Sequence, residues 1–173
     1  MGTRGGCESA VHALRQFATT TSSASSPNII LKCDLRNAFN SVNREIVLNE
    51  VRSRCPEIYP IVFQSYHAPT PLFYNTSFIS SKNGVQQGDP LGALLFSLAI
   101  DPIIQSAESP INIWYLDDGT LAGPADQVIN TILTLIPMFK AIGLDFNTSK
   151  CEVSFLGGDQ GNSFILAKVS ARC

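Results

Sequence analysis

Ile111-Asn112-Ile113-Trp114-Tyr115-Leu116-Asp117-Asp118-Gly119-Thr120-Leu121 is an apolar, aromatic run that halts at two adjacent carboxylates and a glycine, then resumes. Ile, Trp and Tyr suit a pleated, half-buried strand, and Asp-Gly is a turn dipeptide because Gly accepts a positive φ. The stretch predicts a tight β-hairpin with acids at its tip, Asp117 on the face of Tyr115 and Ile113 and Asp118 opening the turn. Two such charges repel unless a cation lies between them. The alternative is a solvated Asp-Asp-Gly turn.

The residues around it supply more strand ends and covering helices. Residues 28–35, Asn-Ile-Ile-Leu-Lys-Cys-Asp-Leu, form a short apolar strand that also ends on an acid, Asp34. Val42, Ile46, Val47, Leu48 and Val51 follow at helical spacing, with Ser41 or Asn43 as N-cap and Pro56 as the stop; residues 56–67 allow another short helix. Residues 71–81 are β-prone and read as a strand or hairpin, placed at an edge by Pro71. Residues 82–92 form a polar loop punctuated by Gly84, Gly88 and Gly92 that runs into an apolar helix over 91–107, with Asp89 as N-cap and Pro90 at N1. Glycine amides beside a helix N-terminus suit a phosphate or nucleic-acid backbone; a simple capped loop is the alternative.

Residues 126–142 carry Val128, Ile129, Ile132, Leu135, Ile136 and Phe139 on one stripe, with Pro137 in the last turn and Gly143 closing it, the pattern of a sheet-covering helix. Residues 144–153 read as strand, polar turn and strand, and 164–169 add β signal. At the other end, residues 8–19 have amphipathic helical spacing and 19–27 are a Ser/Thr-rich connector. His12 has no partner at ligand spacing and reads as packing or surface. This order argues one α/β (α+β) domain, a largely antiparallel sheet with helices on one face. If the Asp34 strand lies beside the hairpin, Asp34, Asp117 and Asp118 come together. Oxygen-only ligation selects Mg²⁺ or Mn²⁺, and two such ions about 3.5–4 Å apart support phosphoryl transfer.

Composition narrows the remaining classes. With 173 residues, 45% hydrophobic and 15% charged, the chain is long enough for one domain with a real core. A net charge of −2 excludes a broad basic nucleic-acid-binding surface. The cysteines at 7, 33, 55, 151 and 173 are odd in number and never in a Cys-x-x-Cys pair, so neither a disulfide framework nor a zinc site is expected. The apolar run 91–100 is too short to span a bilayer, residues 1–10 lack a secretory core, and the expectation is a soluble intracellular protein without membrane contact.

The motifs resemble those of a known family. Residues 34–42, Asp-Leu-Arg-Asn-Ala-Phe-Asn-Ser-Val, are similar to the first palm motif of reverse transcriptases. Residues 84–92, Gly-Val-Gln-Gln-Gly-Asp-Pro-Leu-Gly, resemble the second, and Tyr115-Leu116-Asp117-Asp118 matches the Tyr-x-Asp-Asp signature. Residues 143–152, with Lys150, resemble the motif that follows, and the Ala-Phe-x-x-Val form points to the non-LTR retrotransposon branch. The resemblance implies a polymerase palm in which Asp34, Asp117 and Asp118 hold Mg²⁺ or Mn²⁺, with the Leu35 carbonyl as an added ligand. It makes Phe39 the steric gate at the sugar 2′ position and lines the template and nucleotide pocket with Gln87, Gly88, Pro90 and Tyr115. Lys150 then stands by the leaving pyrophosphate as electrostatic stabiliser or general acid.

Without the family, Phe39 is a core ring and Lys150 a solvated turn lysine. Asn40 stands where the family often has a second acid, and Asn37 where a basic residue is common. The implied partners are an RNA template, a DNA primer and deoxynucleoside triphosphates. The expectation for residues 1–173 is a partial domain, palm with part of the fingers and no thumb, a truncated retroelement product that binds nucleic acid weakly and self-associates. The rival is a catalytically inactive remnant serving as a small binding protein.

Overall fold

The computed structural model describes residues 4–21 and 27–156. A four-stranded antiparallel sheet has the order β4-β5-β1-β6, formed by Ile111–Tyr115, Asp118–Pro124, Asn28–Asp34 and Glu152–Leu156. β2 (Thr70–Tyr74) and β3 (Ser77–Ser81) form a separate hairpin. The helices are α1 (Gly6–Thr21), α2 (Ala38–Ser41), α3 (Arg44–Arg54), α4 (Tyr59–Tyr66), α5 (Gly92–Gln105) and α6 (Ala125–Ala141). The β signal at residues 164–169 lies outside the described residues, as do Cys173 and part of the Ser/Thr-rich connector.

Alternation along β1 decides which face is covered. Ile29, Leu31 and Cys33 are buried, and their register partners Leu121 and Gly119 on β5 and Phe155 and Val153 on β6 share that face. Val128, Ile132, Leu135 and Phe139 of α6 pack there, and Trp114 of β4 meets Phe139 with ring centroids 5.3 Å apart. α5 adds Leu95 and Phe96, both fully buried. Each such side chain contributes roughly 1.5–3 kcal/mol by leaving water, so α6 and α5 hold the sheet. Lys32, Asp34, Thr120, Asp118 and Tyr115 alternate onto the opposite face.

The signals that bound α3 and α6 hold. The Asn43 side chain caps α3 by accepting from Glu45 N at 2.8 Å, and Gly143 closes α6 with φ 85°. α1 forms as its spacing predicts, but none of its residues is buried. No disulfide joins the described cysteines, and no helix among the described residues is long and apolar enough to cross a membrane.

Candidate active site

The acids lie at neighbouring strand ends, where β1 and β5 pair and the 145–147 segment bonds to the end of β1. Tyr115 pairs with Asp118, and Asp118 pairs with Asp34, so these three residues share one face of the sheet. Leu116 and Asp117 form the turn. This corrects the expected assignment. Asp118, rather than Asp117, takes the Tyr115 face, and the positive φ falls on Leu116 (57°), not on Gly119. A left-handed non-glycine residue costs on the order of 1–2 kcal/mol, strain of the kind that collects at functional sites. Gly119 is required for space instead: a Cβ there would lie 2.7 Å from the Trp114 ring.

Backbone hydrogen bonds fix Asp34 between its neighbours. Leu35 N donates to Asp117 O at 3.2 Å, Asn147 N to Asp34 O at 2.8 Å, and Arg36 N to Asp145 O at 2.8 Å. Leu35 is itself buried and bridges Phe146. The Asp34 side chain is 15% exposed; Oδ1 faces Lys150 Nζ at 3.5 Å, whereas Oδ2 is buried and has no hydrogen-bond partner. Lys150 is 66% exposed, so solvent screens this pair. Cys151, to which the 143–152 motif gave no role, lies against the same acid. Burial pushes its thiol pKa up, the Asp34 backbone N–H opposes that, and the Asp34 charge adds to the rise.

The second motif abuts the first. Gly84 N donates to Val42 O at 2.8 Å and Val85 N to Phe39 O at 2.6 Å, tying the loop to α2. A Cβ at Gly84, whose φ is 76°, would fall 2.4 Å from Phe39 O, so backbone approach alone demands glycine. Gln87, Gly88 and Pro90 are exposed at the loop apex. The expected open glycine amides are corrected in part, because Gly84 N is taken by Val42 and Gly92 N by Asp89 O at 2.9 Å. The expected helix start also moves: α5 begins at Gly92 after Leu91, and Asp89 Oδ1 accepts from Leu91 N at 2.9 Å in the turn before it. Phe39 is half-buried and stacks on Phe96 at 4.8 Å, so the ring is partly core. Asn37 adopts φ 47° at the head of α2, a conformation Asn tolerates better than a long basic residue. It also accepts from Asn40 Nδ2 at 2.6 Å, which gives both departures from the family pattern a local structural role.

A hard cation fits this donor set as part of its shell. Among the described residues no group of three or more His, Cys, Asp or Glu side chains converges on one point. Yet a buried, partnerless carboxylate oxygen is costly, and a cation is the kind of partner that relieves it. Mg²⁺ characteristically takes one or two protein carboxylates and fills its remaining positions with water and substrate phosphate oxygens.

Comparison with known proteins agrees with the motifs. The family model for reverse transcriptase (RNA-dependent DNA polymerase) matches residues 6–165. The chain is 30% identical over 172 residues to the retrotransposable element SLACS 132 kDa protein of Trypanosoma brucei gambiense, covering 92% of this chain and 14% of that protein. It is 26% identical over 141 residues to the Pol polyprotein of the type-1 retrotransposable element R2 of Popillia japonica, covering 70% of this chain and 23% of that one. The fold resembles telomerase from Candida tropicalis, with a TM-score of 0.64 at 14% identity in the form bound to a telomeric RNA fragment, over 90% of this chain and 30% of that one. A truncated apo form gives 0.59 at 12% identity, over 94% of this chain and 36% of that one. The chain thus spans only a small part of the relatives it matches. With the antiparallel sheet, the acids at its strand ends and a family match along nearly its whole length, this chain belongs to the reverse transcriptase family, in its non-LTR retrotransposon branch.

Proposed function

We propose that this chain is the palm of an RNA-directed DNA polymerase that adds deoxynucleotides to a primer 3′ end on an RNA template in a Mg²⁺-dependent reaction. The observation that carries the reading is the partnerless Oδ2 of Asp34, held beside Lys150 and joined through Leu35 to the Asp117-Asp118 turn. Asp34 and Asp117, with Asp118 adjoining, are the carboxylates that would hold the cation. When bound, it supplies charge stabilisation at the attacking and leaving oxygens of an in-line displacement.

The chain's own residues supply position and charge. Lys150, exposed beside Asp34, stabilises the leaving pyrophosphate or gives it a proton. Phe39 meets the sugar 2′ position from α2. Gln87, Gly88 and Pro90 present the loop apex to template and incoming nucleotide, and the exposed Tyr115 ring adjoins the acids on the open sheet face.

The test is primer extension with Mg²⁺ and with Mn²⁺ beside an Asp117→Asn control; extension lost in the control supports the reading. The chain alone is expected to bind primer–template weakly, because its net charge of −2 gives little counterion release. A second reading, a binding protein without catalysis, is favoured by the β2–β3 hairpin, where Leu72, Phe73, Tyr74, Phe78 and Ile79 are all exposed. No extension, with wild type and control alike, would favour it.

A further inference from the structure

We infer that Arg44 and Tyr66, which lie outside the palm motifs, and Asp89, to which the second motif gives no site role, form a buried brace that sets the geometry of the 84–92 loop, and that they are positioning residues for template and nucleotide. Arg44, at the first turn of α3, is buried, and its guanidinium makes three hydrogen bonds. Nε donates to Gly84 O at 2.8 Å, Nη1 to Ser81 O at 3.0 Å and Nη2 to Ser81 Oγ at 2.8 Å. Among the described residues no carboxylate pairs with this charge. The Tyr66 ring lies under it instead, 5.4 Å from guanidinium carbon to ring centroid.

Tyr66 continues the chain of contacts into the loop. Its side chain is 2% exposed, and its hydroxyl donates to Asp89 Oδ2 at 2.5 Å and accepts from Gln86 N at 3.1 Å. Asp89 uses its other oxygen for Leu91 N at 2.9 Å. Both Asp89 oxygens are therefore engaged within the protein, which argues that this acid shapes the loop and is not a further cation ligand. The brace grips the loop at 84, 86, 89 and 91 and leaves Gln87 and Gly88 projecting between the gripped points. At Gly88, with φ 88°, a Cβ would meet nothing within 4 Å, so its neighbourhood is open to a ligand. A planar guanidinium fork and a phenol are rigid groups that lose little freedom on ordering, which suits them to holding an apex in place.

This inference rests on the polymerase reading for its ligand, and the test separates the two. Amide exchange and anisotropy with a fluorescent RNA-template/DNA-primer duplex are measured on the full chain for wild type, Tyr66→Phe, Asp89→Asn and the core control Ile132→Val. The expected result for Tyr66→Phe, which removes both hydrogen bonds of the hydroxyl, is at least about tenfold faster exchange at Gln86 and Leu91 than in the control, with binding at least threefold weaker. Asp89→Asn, which keeps an acceptor for Leu91 N, should show a smaller change at Leu91 than at Gln86, and it carries the test if Tyr66→Phe fails to fold. Exchange equal to the control overturns the brace. Faster exchange with unchanged binding overturns the positioning role. A wild type that binds no duplex sinks the polymerase reading and with it that role, while the exchange data still report on the brace.

Discussion

Replacing Asp34 with Asn is expected to make the cation-free protein more stable while removing its response to divalent cations. The Asp34 carboxylate has one buried oxygen without a partner and one facing an exposed Lys150 at 3.5 Å. Leaving a buried polar group unsatisfied costs about 1–3 kcal/mol, more when charged, and a long pair to an exposed lysine returns about 0–1. Asn fills the same volume without the charge but keeps a polar atom in that position, so the net gain is about 1 kcal/mol. For a chain of this length that is a rise in melting temperature of roughly 2–4 °C. Melts in EDTA should therefore rank Asp34→Asn above wild type. With Mg²⁺ or Mn²⁺ at ten times Kd, wild type should gain about 1.4 kcal/mol and the variant little. A variant less stable than wild type in EDTA, or one equally stabilised by the cation, would refute the reasoning that Asp34 stores unsatisfied charge for a cation.

Three further outcomes are expected. Gly119→Ala drives a methyl to 2.7 Å from the Trp114 ring, which is wedged against Phe139 and held by its Nε1 donating to Asn112 Oδ1 at 2.8 Å, so it should cost about 1–3 kcal/mol in denaturant titration; a loss under about 0.5 would show that the ring yields freely. Burial, then the hydrogen bond to Asp89, push the Tyr66 pKa from 10.0 to about 12. The neutral phenol is thus favoured in the fold, and its contribution is fully present below pH 10 and lost as pH rises toward 12. Tyr66→Phe should be less stable at neutral pH, with the gap to wild type closing by up to about 3 kcal/mol across that window; parallel stability curves would contradict this. Phe73→Ser with Phe78→Ser removes a directly paired, exposed aromatic couple from the hairpin, so self-association seen by sedimentation should fall; an unchanged state would place the contact elsewhere.

Local sequence determined most of the elements, because their signals are local. A short apolar run marked β1, the 3.6-residue stripe marked α6, Asn43 was one of two candidate caps for α3, and the adjacent acids after Leu116 marked the strand junction. The motifs also placed Asp34 beside the hairpin, which the β1–β5 pairing bears out. Tertiary structure decided what depends on partners distant in sequence. Which acid faces Tyr115 turned on a two-residue turn that put the left-handed residue at Leu116, while Gly119 serves to make room for Trp114. Nothing in the sequence singles out Arg44 or Tyr66. Only the approach of β3 and the 84–92 loop, about 40 residues from Arg44, makes them a buried pair. The unpaired oxygen of Asp34 was likewise invisible in sequence, since desolvation is a property of the assembled strand ends and not of any residue among them.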